Sequence, residues 1–352
     1  MRIVVWIFLI GLIIFRFFST LPKYKDGQKV RITQKVTSEP VRYSFYQSFN
    51  LSGLTVYIPK FPEVTYGDSV VVEGTVEGRK LSNAKLIEVS EGRGPLVRVR
   101  KRLIDFYQSA LPQPYSGLIA GVVLGSKAGL SEDFWDDLKV TGTAHVVVAS
   151  GMNVTLVTGF LVGMVTIFLP RRKAIPLAIA GIWVYSLISG FDAPIVRAAV
   201  MGSVAFLAQW AGRVVTAWKA LFLSAACMLI AWPQWLTDLG FILSFVATTC
   251  LLLFEARVRK VFSFLPNIIR EGFSTSLAAQ IGVAPIIFVT FGQFNLLSPL
   301  INALILWTIA PITILAGLSG ILGLVIPLAG KLILYLSYPL TFWFVKVVTL
   351  FS

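Results

Sequence analysis

From residue 143 to its end the chain is a succession of apolar stretches, each long enough to cross the hydrocarbon core of a bilayer. They fall at about 143–169, 174–190, 192–212, 216–232, 236–254, 271–291, 298–325 and 329–350. In lipid every backbone N–H and C=O must be paired within the protein, so runs of this length and character are read as helices. Residues 3–18 form a further apolar run, with Arg16 near enough to its end to reach the interface. No small-residue cleavage site follows it, only Leu21-Pro22-Lys23, so residues 1–22 are expected to be a retained transmembrane anchor. Composition agrees: 56% of the 352 residues are hydrophobic and 14% charged, where soluble proteins carry about a quarter charged. The fold class expected is a polytopic α-helical membrane protein of about nine spans.

Loop charges orient it. Arg171-Arg172-Lys173, Arg213 with Lys219, Arg257 through Lys260 with Arg270, and Lys331 mark alternate connections as cytoplasmic. The opposite connections, around Phe191, Pro233 and Gln293, carry no lysine or arginine. Counting back puts the amino terminus inside, residues 23–142 outside and the carboxyl terminus outside, in the cytoplasmic membrane.

Residues 23–97 differ in kind. Lys29–Val36, Leu54–Ile58 and Ser69–Val76 alternate with a two-residue period and are separated by turn residues such as Asp26-Gly27, Ser52-Gly53 and Gly67-Asp68. Several short strands in so short a segment predict a small external β-barrel, of which the OB-fold is the obvious candidate. Residues 98–142 then read as a basic linker with interfacial or re-entrant helices, and 143–352 as the transmembrane domain proper. In this linker Ser131 is placed to cap a helix whose first turn holds Glu132 and Asp133.

The chemistry available is narrow. There is one histidine, His145, and the two cysteines lie in apolar runs without metal-ligand spacing. No HExxH, Ser-His-Asp or nucleotide-binding pattern is present, so no catalytic residue, metal or cofactor is assigned. Polar groups inside a bilayer are costly and mark function or helix–helix contacts. They concentrate in Thr141-Gly-Thr-Ala-His145 with Ser150-Gly-Met-Asn153, in Asp192 through Arg197, and in Asp238 through Ser244. The residues expected to line a path are His145, Ser150, Asn153, Asp192, Arg197 and Asp238. Pairing of Asp192 or Asp238 with Arg197 is the structural reading of the same residues.

The net charge of +14 has two readings: positive-inside topology with anionic headgroups, or a polyanionic substrate. Residues 23–102 hold fifteen Lys and Arg against eight Asp and Glu and are rich in aromatics. Basic grooves with aromatic rings bind single strands by phosphate contact and base stacking. On that basis Arg42, Tyr43, Phe45 and Tyr46, together with the cluster Arg98, Arg100, Lys101 and Arg102, are expected to contact nucleic acid.

Four stretches taken together resemble the ComEC competence family, inner-membrane channels for transforming DNA. They are Gly121 through Leu130, Thr141-Gly-Thr-Ala-His145 with Ala149 through Val154, Ala193 through Ala199, and Leu239 through Phe245, in the family's order and approximate spacing. The resemblance covers most of residues 24–350. It implies an external OB-like domain and a channel that passes single-stranded DNA inward, served by a separate DNA receptor and cytoplasmic motor, with a homodimer as one way to form the pore. Two departures stand out. Where members often read Ser-Gly-Leu-His, this chain has Ser150-Gly-Met-Asn153. No His-rich hydrolase motif precedes Ser352, so a short form is expected, without the metallo-β-lactamase-like domain and relying on a separate nuclease. The competing reading is a secondary transporter for a small polar or anionic solute, whose expected mark is an inverted repeat.

Overall fold

The computed structural model describes residues 2–20, 24–42, 45–127, 129–147, 151–292 and 295–352. Helix α1 (Arg2–Thr20) is followed by six strands: β1 (Lys29–Lys35), β2 (Val41–Arg42), β3 (Tyr46–Leu51), β4 (Leu54–Pro59), β5 (Ser69–Glu77) and β6 (Lys80–Ser90). Their order in one sheet is β1-β5-β6-β4-β3-β2, antiparallel throughout except for the parallel β4–β6 pair. The edge strands β1 and β2 do not pair, so among the described residues the sheet is open. It is nonetheless curled: Ile32, Phe49, Leu51, Leu54, Val56, Val70, Val72 and Leu81 meet in one core. Across the opening, Gln34 Oε1 accepts from the backbone N–H of Ser52 at 2.7 Å.

The three strands expected from periodicity appear where alternation put them. Strand β3, which starts at Tyr46, occupies a segment where no alternation marked a strand. Its pattern is obscured because Gln47 and Ser48 are buried. The Gln47 amide donates to the carbonyls of Pro59, Lys60 and Pro62 and accepts from the Val64 N–H, satisfying the β4–β5 loop from inside.

The rest is helical: α2 (Pro95–Ala110), α3 (Tyr115–Leu124), α4 (Glu132–Val140), α5 (Ala144–Val147), α6 (Gly151–Phe168), α7 (Arg171–Ile188), α8 (Ala193–Trp210) and α9 (Ala217–Ala231). A 3-10 turn, Pro233–Thr237, leads to α10 (Leu239–Val261), α11 (Asn267–Phe291), α12 (Ser298–Gly323), α13 (Pro327–Leu336) and α14 (Tyr338–Phe351). Helices thus occupy all the predicted apolar stretches. Among the described residues five are long and apolar enough to cross a membrane: Ala144–Ile167, Ala193–Trp210, Leu239–Val261, Ile269–Thr290 and Ser298–Gly323. The stretch at 329–350 is not one rod. It is split into α13 and α14 with a 49° bend, and a sixth span results only if the pair crosses together.

Helix α3 is the centre of the helical part. Ser116 through Leu124 are all buried, so a segment read as interfacial or re-entrant is surrounded by protein. Around it lies a core drawn from α2, α4, α5, α12, α13 and α14. Tyr107 on α2 is fully buried, and its hydroxyl donates to the Ala316 carbonyl of α12 at 2.9 Å. Ser131 caps α4 as expected, accepting from the Phe134 N–H.

Candidate functional site

Where the sheet meets the helices, a polar seam is built around Arg100 on α2. Its side chain is 4% exposed and pairs with Glu39, 9% exposed, at 2.9 Å. The same guanidinium donates to the carbonyls of Leu124 and Ile188, the last residues of α3 and α7. Helix C-termini leave carbonyls unpaired and carry the negative end of the dipole, so one arginine completes both. The Tyr66 ring lies 5.4 Å from the guanidinium carbon, and Ser126 Oγ donates to the other Glu39 oxygen at 3.3 Å.

The seam extends to Lys127 in the α3–α4 loop and to Asp192 ahead of α8. Burial pushes the Lys127 ammonium below the ordinary lysine range, while Asp192 and Glu39 draw it back. Burial pushes the Asp192 carboxyl up to about 6, with the cations of Lys127 and Arg100 opposing and the acids Glu39 and Asp238 reinforcing. Asp238 caps α10 by accepting from the Phe241 N–H at 2.8 Å. Both acids therefore sit at helix N-termini, where the dipole favours negative charge.

Deeper in, Arg197 Nη1 donates to the Ser244 carbonyl of α10 at 3.2 Å, and its buried Nε has no partner among the described residues. Its Nη2 lies so close to Gly151 that a Cβ there would sit 2.6 Å away, so a larger residue at 151 would displace this guanidinium. No ion pair joins Arg197 to Asp192 or Asp238 among the described residues. Asn153, fully buried on α6, donates from Nδ2 to the Val122 carbonyl of α3 at 2.7 Å, while its Oδ1 has no hydrogen-bond partner. His145 is exposed on α5, its Nδ1 3.0 Å from the Gly142 carbonyl. Ser150 lies outside the described residues.

Of the external residues, Phe45 is 87% exposed and Tyr46 39%. Tyr46 packs edge-to-face on Tyr57 at 5.8 Å, with the Lys80 ammonium 6.0 Å from the Tyr57 ring. Arg42 contributes its backbone to β2, and Tyr43 lies outside the described residues. Helical spacing divides the basic cluster: Arg98, Lys101 and Arg102 share the exposed face of α2, with Lys101 bonded to Glu91. Arg100 falls on the opposite face and is spent on Glu39 and two helix ends. That corrects its expected place beside nucleic acid, since a guanidinium so enclosed does not reach a phosphate. Sequence reasoning passed over Glu39, Tyr66, Ser126 and Lys127. The only hint was a lysine inside the small-residue run Gly125-Ser126-Lys127-Ala128-Gly129.

Residues 122–352, well over half the chain, match the family model described as "Competence protein". The chain belongs to the competence protein family. The matched region begins inside α3 and takes in Asn153, Asp192, Arg197 and Asp238, whereas the sheet precedes it. Among curated competence relatives, "ComE operon protein 3" of Bacillus subtilis (strain 168) is 28% identical over 213 residues, covering 59% of this chain and 26% of that protein. "Competence protein ComA" of Neisseria gonorrhoeae is 26% identical over 226 residues, 60% of this chain and 31% of its own. "Uncharacterized protein YcaI" of Escherichia coli (strain K12) is 26% identical over 254 residues, 68% and 33% respectively. This competence protein thus spans about a quarter to a third of the relatives it matches. No solved structure matches it. With its family and its apolar helices, it is a membrane protein.

Proposed function

We propose that the chain is a DNA channel of the cytoplasmic membrane, conducting a single strand inward during natural competence. The observation that carries this is the family match over the very helices that hold Arg197, Asn153, Asp192 and Asp238 in an apolar surround. A buried guanidinium N–H and, on α6, a buried carboxamide oxygen, each without a partner among the described residues, are groups that gain from a passing polar ligand. Arg197 offsets phosphate charge where the dielectric is low, and Asn153 and Ser150 offer neutral contacts that do not trap the strand. His145 stands at the exposed entrance of the same segment.

In this reading the curled sheet is an OB-like domain on the outer side, and Phe45, Tyr46 and the exposed Arg98, Lys101 and Arg102 guide the strand. The chain crosses the membrane nine times, with its amino terminus inside and its carboxyl terminus outside. Helices α1, α7 and α9 then cross in addition to the five long apolar helices and the bent pair α13–α14. The chain performs no chemistry on the strand and uses no metal or cofactor. Strand degradation, surface capture and energy fall to a separate nuclease, receptor and motor, and two copies can share one pore.

The deciding experiment follows nuclease-protected fluorescent DNA into cells with and without the gene. Surface or periplasmic DNA in both, with cytoplasmic entry only when the gene is present, is the expected result. Equal entry in both strains defeats the proposal and leaves solute transport as the reading to pursue.

A further inference from the structure

A cavity lies between the sheet and the helical part. It measures about 230 Å³ and is lined by Lys60 and Glu63 from the β4–β5 loop, by Gln113, Lys127 and Gly129, and by Glu132 and Trp135 of α4. The Trp135 ring has the Lys127 ammonium 5.4 Å from its centroid and that of Lys139 at 5.9 Å. Lys60 reaches across to Glu132 at 2.6 Å and closes one side. An aromatic ring, two ammonium groups and a side-chain amide therefore share one opening.

The cavity continues a surface already described. The Lys60 N–H donates to the Phe45 carbonyl at 3.1 Å, and Phe61, 70% exposed, follows directly. Exposed Phe45 and Phe61 thus flank Lys60, on the cavity's lip, and the Tyr46–Tyr57 pair lies on the adjoining strands β3 and β4. Its volume is below the roughly 300–1,000 Å³ of drug-sized sites, which suits one planar ring and not a folded solute. Two lysines and two glutamates leave the lining without strong net charge, so it does not select a phosphate by charge. Neutral bases carry exocyclic amines that donate to carboxylates, and every base has a face to stack.

We propose that this cavity seats one base of a single strand, stacked on Trp135, as the strand leaves the sheet for the helices. This rests on the strand-conducting reading and gives it a defined outer subsite. Lys127 lies next to the stacked base and meets the adjoining phosphate. Lys139, exposed and bonded to Asp136, does not line the cavity, so the cation a stacking base displaces from the ring is Lys127.

The test uses the full chain in lipid nanodiscs. Binding of a short dC strand is followed by anisotropy, and stacking by a fluorescent adenine analogue that is quenched against aromatic rings. W135A is expected to weaken binding roughly tenfold and to remove the quenching, with W135F keeping most of both. An all-abasic strand should bind wild type and W135A alike, a result that a merely misfolded variant would not give. Unchanged binding and quenching in W135A overturns the subsite and leaves the channel reading standing. Equal losses on base-bearing and abasic strands also overturn it, because Trp135 then acts through the fold. If the wild-type chain binds no strand, the channel reading fails and takes the subsite with it.

Discussion

Arg100 shows how one residue's role turns on its neighbours. In sequence it belongs to a basic run, yet in the structure it closes a buried ion pair and two helix ends. Removing one partner of such a pair strands the other charge, at a cost of about 3–5 kcal/mol. R100M should therefore lower the thermal unfolding temperature in detergent sharply, whereas R98A, on the exposed face, should leave it unchanged. Equal effects from both would show that Arg100 is not the keystone of the seam. Asp192 makes a prediction in pH. Its folded pKa, about 6, lies above the ordinary carboxylate value of 3.8, so its contribution is present in acid and is lost as pH rises through 6. D192N should match wild type near pH 3, pull ahead as pH rises through 4–6, and exceed it above pH 7 by up to about 2–3 kcal/mol. No capping bond is forfeited, since the Asp192 side chain makes none. A variant no more stable than wild type at high pH would refute the burial of this charge. In the proposed channel Arg197 lies on the strand's path, so R197A should cut cytoplasmic DNA entry by roughly tenfold or more while surface capture persists.

Among elements, the contact of α2 with α12 is decided by glycine. A Cβ at Gly323 would lie 2.4 Å from the Phe106 ring, and one at Gly320 2.5 Å from the Tyr107 hydroxyl. G323A should cost about 1–3 kcal/mol in a thermal melt, and F106A should relieve part of that cost by opening space. Strictly additive losses would mean the two residues do not meet. The sequence also holds two Gly-x-x-x-Gly pairs, Gly121 with Gly125 and Gly159 with Gly163, and they differ in their packing. Gly121 accepts Val147 at close range, while Gly159 and Gly163 face open space within the chain. Spacing marks where close packing is allowed, but a partner must arrive for it to happen.

At the scale of the whole molecule, the sheet and helices are joined by Glu39–Arg100 and Lys60–Glu132, so the β domain is tied to α2 and α4. Orientation is testable at this scale. With Cys227 and Cys250 replaced, a single cysteine in the turn at 190–192 should react with an impermeant reagent from outside. One placed beside Arg213 should not. Labelling of both from one side would break the alternation of the loop charges.

The succession of apolar helices, the strands at 29–35, 54–59 and 69–77, and the Ser131 cap were legible because each depends on local periodicity or on a side chain a few residues away. Strand β3 escaped because Gln47 is buried by bonds to a loop more than ten residues distant, which no local pattern reports. The polar residues of the path were visible as anomalies in apolar runs, but their partners were not: Arg197 meets Gly151 and Ser244, and neither acid. Sequence alone determined that this is a polytopic helical chain with a β segment ahead of it, since bilayer length and alternation are properties of consecutive residues. Tertiary structure alone decided which charges are buried and which cavity opens beside Trp135. Those depend on groups brought together from distant turns, where burial, not residue type, sets what a charge can do.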